Sequence, residues 1–394
     1  MNALYERCLA QMPDAMVLWE QLVNIDSGSG DAAGLRAVAA ILEEQLSQLG
    51  CAITRHPAKN ADGEYSIVAR LSGSGEKSVL LMAHMDTVFP PGTAAKRPFT
   101  VKGNWAYGPG VADCKCGIVG ILHMVKLLDV ADYKHLTILF NCDEEIGSPA
   151  SKDIVIAETK KHEYVLSYEP GSIGDNLAVA RKGSGKIKVE TFGKNTHAGS
   201  APEKGINAMA ELVWQVNRML DLGDEEKKTS VVFTKILCGD RTNVMPDYGE
   251  AWADVRCALP EELDRLDRDL ERITSEQLLP NSRVQATLVR GRPPFPRNEA
   301  TDNLAGLARK IYKELGLELS GEAVGGVGDI NYAYGHGAGC LCRMAAHGAN
   351  PGHSPDEDVY IPSMASRMYL GVRMIRELCG KGDCRGRYEG CPAS

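Results

Sequence analysis

The sequence contains no apolar run long enough to span a lipid bilayer, which argues against a helical membrane protein. Its first residues, MNALYERCLAQMPDAMVLWEQLV, mix acidic with basic side chains and lack the apolar core of a secretory signal peptide. Positive charge is also not in excess, because the chain has 44 Lys and Arg and 52 Asp and Glu, which gives a formal net charge of −8. Nucleic acid and membrane surfaces are therefore not expected as partners.

The 12 cysteines are scattered and do not outline a small disulfide scaffold. Without a secretion signal, reduced thiols in a cytoplasm are the simpler interpretation, so we expect a cytoplasmic protein. No internal repeat is visible. At 394 residues the chain is too long for one typical domain and has room for two.

Helix-like and strand-like segments alternate in the first part of the chain. AAGLRAVAAILEEQLSQLG keeps apolar residues at helical spacing, whereas KSVLLMAHMDTV and HLTILFNC are typical of buried strands. Strands that alternate with helices predict an α/β/α sandwich on a mixed, mostly parallel sheet. We assign this larger domain to residues 1–182 and 295–394, with 380–394 as a flexible tail.

A different pattern occupies residues 183–294. From KIKVETFG to RVQATLVRG its order is strand, helix, two strands, helix and strand. This order predicts a small two-layer α+β domain of the ferredoxin-like type. The polar stretch LAVARKGSGK is a candidate hinge before it, and the proline-rich GRPPFPRNEA marks the return. The sequence therefore predicts a small domain inserted into a larger one.

Side chains that can bind metal follow several predicted strands, and loops at strand ends are where α/β folds place their chemistry. His84 and Asp86 lie two apart, so a strand would point both to one face. An imidazole beside a carboxylate suits a metal-bound histidine that the carboxylate orients. In chain order the candidates are His84, Asp86, Asp113, Glu144, Glu145, Glu169 and His353.

Three adjacent carboxylates, Asp143, Glu144 and Glu145, directly follow the apolar run HLTILF. They repel one another and lose hydration near a core, so something positive should lie opposite them. Two cations would convert this repulsion into coordination. Adjacent side chains also point apart, so one glutamate can bind metal while the other handles a proton.

The ordered motifs HxD, GxGxxD, DEE, EP and GH resemble a family of co-catalytic di-zinc enzymes. That family contains glutamate carboxypeptidase, acetylornithine deacetylase, succinyl-diaminopimelate desuccinylase and aminoacylase, and the chain is most similar to the bacterial glutamate carboxypeptidase branch. The resemblance covers essentially the whole chain, including the inserted domain. It implies a metallohydrolase of amide or peptide bonds with two zinc ions per chain, although cobalt or manganese would suit such nitrogen and oxygen ligands too.

The resemblance also implies a role for each residue of the motifs. His84, Asp113 and Glu169 would bind one zinc ion. Asp113 would bridge to a second ion, held also by Glu145 and His353. Each ion would keep an open position beside its three protein ligands.

Two further carboxylates take catalytic roles by the same resemblance: Asp86 would orient the metal-bound histidine, and Glu144 would be the general base for water. One departure lies after the bridging aspartate, where this chain reads DCKCG. Cys114 and Cys116 there are competing metal ligands, redox-sensitive neighbours or small buried thiols, and we favour buried thiols.

Substrate contacts are expected chiefly from the inserted domain. The resemblance implies that His197 reaches the active site of the other subunit of a homodimer and stabilises the oxyanion, with Asn243 contributing. Arg256 would grip the free carboxylate of the substrate, and Arg292 would favour an acidic side chain. Gly352 could present its backbone N–H to a carboxylate, or it could simply serve turn geometry.

For Arg256, an ion pair with Asp254 on the same strand is the structural alternative. The expected activity is hydrolysis of an N-acyl amino acid or small peptide with a free carboxylate, glutamate being the leading choice. A deacetylase or desuccinylase of a diamino acid and a di- or tripeptidase remain open. So does a catalytically inactive metal- or ligand-binding protein of the same fold, although no ligand or base is missing.

Overall fold

The computed structural model describes residues 2–58, 63–350 and 352–381. Nearly all of the predicted flexible tail, including Cys384 and Cys391, lies outside the described residues. The described residues form two compact units: one comprises those within 1–179, 297–323 and 328–394, and the other comprises those within 180–296 and 324–327.

The strands of the described residues are numbered in chain order. They are β1 (Ala52–Pro57), β2 (Tyr65–Ser72), β3 (Val79–His84), β4 (Thr100–Lys102), β5 (Trp105–Tyr107), β6 (His135–Asn141), β7 (Tyr164–Ser167), β8 (Asn176–Arg181), β9 (Gly183–Phe192), β10 (Thr196–His197), β11 (Ser230–Cys238), β12 (Val244–Met245), β13 (Tyr248–Cys257), β14 (Arg283–Arg290), β15 (Ser320–Val324), β16 (Gly339–Cys342) and β17 (Asp358–Tyr360).

The α-helices are numbered in the same way. They are α1 (Ala3–Ala10), α2 (Met12–Val23), α3 (Ala32–Gln48), α4 (Thr93–Lys96), α5 (Gly117–Val125), α6 (Lys152–Thr159), α7 (Ala208–Met219), α8 (Pro260–Thr274), α9 (Glu299–Lys313), α10 (Ile330–Ala333) and α11 (Pro362–Cys379). Among the residues that the structure describes, no helix combines the length and the apolar character needed to cross a membrane.

The first unit is built on an eight-stranded sheet of order β1-β2-β6-β3-β7-β16-β8-β15. Its central neighbours β6, β3, β7 and β16 are mutually parallel, and the pairs β1–β2, β2–β6 and β16–β8 are antiparallel. All residues of β3 are buried, as the apolar run VLLMAH requires. Helices α3, α5 and α9 pack against the sheet, so the predicted mixed α/β architecture is confirmed.

The parallel register brings three strand ends to one edge of this sheet. His84, the last residue of β3, lies opposite Asn141, the last residue of β6. Ser167, the last residue of β7, lies opposite Met82 of β3. The segments that carry the acidic motifs therefore leave the sheet side by side, at its carboxyl edge, where α/β folds hold their ligands.

The second unit contains a four-stranded antiparallel sheet of order β11-β13-β9-β14. Strand β13 alternates between buried and partly exposed residues, so one face meets α7 and α8 over an apolar core. The predicted ferredoxin-like strand and helix order is confirmed. Val324–Val327 belong to this unit as well, because the Arg181 guanidinium donates to the carbonyls of Gly326 and Val327.

Candidate metal centre

A first group of metal-binding side chains surrounds the end of β3. Nε2 of His84 lies 2.9 Å from Oδ1 of Asp113 and 3.9 Å from Oε1 of Glu169. The His84 side chain is 1% exposed. Together with the Sγ atom of Cys114, the potential ligand atoms of this group all lie within 4.8 Å of one another.

A second group shares Asp113 with the first. Nε2 of His353 lies 2.9 Å from Oε2 of Glu145 and 3.6 Å from Oδ2 of Asp113. The ligand atoms of Asp113, Glu145 and His353 again lie within 4.8 Å of one another. Asp113 thus turns one carboxylate oxygen toward each histidine, which is the arrangement that a bridging carboxylate requires.

One buried carboxylate oxygen of the second group favours a bound cation. Oε1 of Glu145 is buried and has no hydrogen-bond partner among the described residues, a state that costs about 1–3 kcal/mol or more for a charged group. Burial raises the pKa of Glu145, against the hydrogen bond from His353. That hydrogen bond raises the pKa of His353 to about 9. A divalent ion would satisfy the oxygen, and imidazole with carboxylate suits Zn²⁺, Co²⁺ or Mn²⁺.

Asp86 joins the first group to the turn that carries the two glutamates. It is fully buried, and its carboxylate accepts hydrogen bonds from the backbone N–H groups of Glu144 and Glu145, both 3.0 Å. Its oxygen Oδ1 also lies 3.3 Å from Nδ1 of His84. Ser29 donates a further hydrogen bond of 2.7 Å to the same carboxylate.

The proposed strand geometry of the HxD motif is wrong for its second residue. Strand β3 ends at His84, and Asp86 lies beyond it. Beyond it, the backbone N–H of Thr87 donates to the carbonyl of Ser27, outside the sheet. Asp86 nevertheless contacts the histidine in this turn, where its backbone oxygen lies 2.9 Å from Nδ1 of His84.

The three adjacent carboxylates separate as soon as β6 ends. Glu144 and Glu145 begin a short 3₁₀ turn, Glu144–Ile146, and Glu145 faces His353. Asp143 instead accepts hydrogen bonds from the backbone N–H of Ala150 and from the hydroxyl of Ser151, at 2.6 and 2.5 Å. We expected cations to compensate all three negative charges. This is wrong for Asp143, whose carboxylate is stabilised by neutral hydrogen-bond donors.

Glu357 supports the loop that carries Asp113, and sequence reasoning missed it. Its buried carboxylate accepts hydrogen bonds from the backbone N–H groups of Gly110, Ala112 and Asp113, at 3.0, 2.8 and 3.0 Å. Burial raises its pKa to about 7. Neither Glu357 nor Ser29 has a neighbouring motif that would distinguish it from other polar loop residues.

Gly352 fits closely against the shared aspartate. Its φ is +70°, and an added Cβ would lie 2.7 Å from Oδ2 of Asp113. The structure thus supplies a steric reason for glycine here. A substrate contact through the N–H of Gly352 stays a prediction.

The second unit holds the remaining candidates. His197 is exposed, and its Nδ1 accepts hydrogen bonds from the backbone N–H groups of Gly199 and Ser200, both 3.1 Å. These donors assign the proton of a neutral His197 ring to Nε2, which is left as a donor. Asn243 is adjacent, since its carbonyl accepts from the N–H of Ala198.

Two arginines of the second unit differ in their surroundings. Arg256 forms a two-point ion pair with Asp254, at 2.9 and 3.2 Å, which is the structural alternative named above. Arg292 is 5% exposed, and its backbone N–H donates to the hydroxyl of Ser184. Carboxylate recognition by either arginine stays a prediction.

The two thiols beside Asp113 are both buried. Sγ of Cys114 donates to the carbonyl of Tyr168 and Sγ of Cys116 to that of Ala112, both at 3.1 Å. Burial raises the pKa of Cys114 to about 12 and that of Cys116 well above its ordinary value. Only Cys114 belongs to a metal-binding group among the described residues.

Comparison with known proteins identifies the family of this chain. Residues 80–377 match Peptidase family M20/M25/M40. Carboxypeptidase G2 from Pseudomonas sp. (strain RS-16) is 38% identical over 382 residues, which cover 96% of this chain and 92% of that protein. The chain belongs to this peptidase family and is therefore a hydrolase of amide or peptide bonds.

Solved structures share the fold at low sequence identity. Aminopeptidase PepT from Bacillus cereus superposes with a TM-score of 0.76 and 21% identity, covering 95% of this chain and 98% of that one. The YXEP protein from Bacillus subtilis, described as a dinuclear metal binding peptidase, gives a TM-score of 0.70 and 13% identity, with 93% and 98% covered.

Proposed function

We propose that the chain is a di-zinc exopeptidase similar to carboxypeptidase G2, which hydrolyses the amide bond of an N-acyl amino acid or small peptide with a free carboxylate. Glutamate is the leading candidate for the released amino acid. The observation that carries this proposal is the pair of metal-binding groups that share Asp113. The sequence identity of 38% to carboxypeptidase G2 over nearly the whole chain supports the choice of substrate class.

In this proposal His84, Asp113 and Glu169 would hold one ion. Glu145 and His353 would hold the other and would share Asp113 with the first. Divalent ions bound there supply Lewis acidity, which polarises the scissile carbonyl and makes water more acidic. Asp86 keeps the imidazole of His84 in place through its contact with Nδ1.

Glu144 is the proposed general base. It takes a proton from the water whose oxygen bonds to the carbonyl carbon, and it returns the proton to the amine nitrogen as the carbon–nitrogen bond breaks. The products are a carboxylic acid and a free amine. Two features support this role: Glu144 is only 8% exposed, and its backbone N–H is fixed by Asp86.

The second unit would complete the site in a homodimer. His197 of the partner subunit would donate from Nε2 to the developing oxyanion, which fits the acceptor role of its Nδ1. Arg256 would release Asp254 and bind the carboxylate of the substrate in its place, so that one carboxylate replaces another. Asn243, Arg292 and Gly352 are the remaining proposed substrate contacts.

The test is the variant Glu144→Gln, assayed with zinc, cobalt or manganese on aminobenzoyl-glutamate, N-acetylornithine and a simple dipeptide. Turnover of the glutamate substrate should fall by about 10²–10⁴-fold, because the base is lost. Metal content should stay near two ions per chain. The matched control is Asp153→Asn on the exposed face of α6, which should keep wild-type turnover. Undiminished hydrolysis by Glu144→Gln would exclude its role as the base.

A further inference from the structure

A thiol lies inside the first metal-binding group, next to its nitrogen and oxygen atoms. The Sγ atom of Cys114 and the ligand atoms of His84, Asp113 and Glu169 are all within 4.8 Å of one another. A tetrahedral ion with ligands at about 2.0–2.3 Å holds those ligands about 3.3–3.8 Å apart. The four side chains therefore need only small shifts to surround one ion.

The backbone holds this thiol between two ligand-bearing segments. Cys114 follows Asp113 directly, and its Sγ donates to the carbonyl of Tyr168, the residue before Glu169. Gly117 permits the approach, since an added Cβ there would lie 2.0 Å from that carbonyl oxygen and 3.1 Å from Sγ of Cys114. Cys114 is fully buried, so its position is fixed by packing and not by solvent.

The second thiol of the DCKCG stretch provides an internal contrast. Sγ of Cys116 donates to the carbonyl of Ala112, in the preceding turn of its own segment. Both cysteines are buried and lie two residues apart. Cys116 nevertheless lies outside the metal-binding groups found among the described residues, so the geometry distinguishes the two thiols.

We propose that Cys114 is a fourth protein ligand of the ion bound by His84, Asp113 and Glu169. The inference rests on the proposed function, because it takes these groups as the metal positions. The thiol proton passes to solvent as the sulfur–metal bond forms. This position would then be closed by four protein ligands, which departs from the three ligands and open place that the family resemblance implies for each ion. The position of Asp113, Glu145 and His353 would have three and keep an open place for water. The thiolate should also favour zinc over manganese at the closed position.

The experiment uses the full chain loaded with cobalt(II), with metal content measured by elemental analysis. A thiolate bound to cobalt gives an intense near-ultraviolet charge-transfer band that nitrogen and oxygen ligands do not give. Wild-type protein with two cobalt ions per chain should show this band. Cys114→Ser and Cys114→Ala should lose it, and the matched control Cys116→Ser should keep it.

Three outcomes would overturn the proposal: two bound cobalt ions without the band in the wild type, a band that persists without Cys114, or a band that disappears in Cys116→Ser. If both Cys114 variants fail to fold, a cobalt-loaded wild type without the band still refutes the thiol ligand, and a band retained in Cys116→Ser excludes Cys116 as its source. Cobalt-loaded wild type that hydrolyses amides without showing the band would contradict only the thiol ligand. A chain that binds no cobalt would contradict the proposed function as well.

Discussion

The hydroxyl of Ser29 donates a hydrogen bond of 2.7 Å to the buried carboxylate of Asp86. This bond ties the loop before α3 to the residue that holds both His84 and the backbone of Glu144. Ser29 acts on the site through Asp86. It is therefore a positioning residue.

Replacing Ser29 with Ala should lower turnover and metal retention by about 10–100-fold, the usual effect of removing a group that orients a metal ligand. KM should change little, because the substrate is not contacted. Titration of the apo chain with zinc and steady-state kinetics check this. Ser29→Thr keeps the hydroxyl and should restore most of the loss; if Thr behaves like Ala, the hydrogen bond is not the cause.

Replacing Glu357 with Gln should loosen the loop that presents Asp113. A glutamine has only one acceptor oxygen for the three backbone N–H groups that Glu357 satisfies, so at least one buried donor loses its partner. We expect a loss of about 1–3 kcal/mol in the free energy of unfolding and weaker zinc binding. Urea titration with and without zinc measures both. The neighbouring exposed Asp356→Asn should leave both values unchanged.

Two glycines of α5 should respond in opposite directions to the same change. A Cβ at Gly117 would lie 2.0 Å from the carbonyl oxygen of Tyr168, whereas at Gly120 none of the described atoms outside the helix backbone lies within 4 Å. Gly117→Ala should therefore destabilise the chain by about 1–3 kcal/mol. Gly120→Ala should stabilise it by about 0.5–1 kcal/mol. Chemical unfolding measures the free energy of unfolding of both variants. Equal changes in this free energy would refute the steric argument.

The stability of the chain should depend on pH through His123 of α5. This side chain is 1% exposed, and burial, followed by the charge of Lys126, lowers its pKa to about 4. Above the unfolded value of about 6.5 both states are neutral. As the pH falls from about 6.5 to about 4, the unfolded chain binds the proton first, and folding loses up to about 3 kcal/mol.

His123→Asn removes this titration and should flatten the profile of unfolding free energy in that pH window. Asn also offers a donor in place of Nδ1, which lies 3.2 Å from Oε1 of Gln11. The exposed His135→Asn is the control and should keep the wild-type slope. A wild-type slope in His123→Asn would show that the folded imidazole binds its proton as readily as the unfolded one, which contradicts the lowered pKa.

The regular part of the fold could be predicted because its residues carry periodic patterns. The apolar runs of β3 and β6 and the strand and helix order of the second unit are examples. Helix α1 was not predicted, since Cys8 is its only fully buried residue and Leu4 and Tyr5 are only partly buried against the core. Apolar periodicity does not predict a helix when few of its side chains contact the core.

The candidate metal ligands could be named because they follow strand ends in the order of a familiar motif set, and the structure brings His84, Asp113, Glu145, Glu169 and His353 together. The supporting residues Ser29 and Glu357 could not be predicted from the sequence. Their contacts are a hydroxyl to a carboxylate and a carboxylate to backbone N–H groups. Such contacts depend on where distant loops meet, and no residue pattern specifies them.

Strand β17 pairs with β5, with Asp358 opposite Tyr107 and Tyr360 opposite Trp105. This pairing fastens the segment after His353 to the segment before Asp113. The ribosome makes the chain from its amino end. His353 and strand β17 are therefore made after the other four proposed metal ligands. The nascent chain therefore carries His84, Asp113, Glu145 and Glu169 before His353 exists, and it can complete the second metal position only after that histidine has been made.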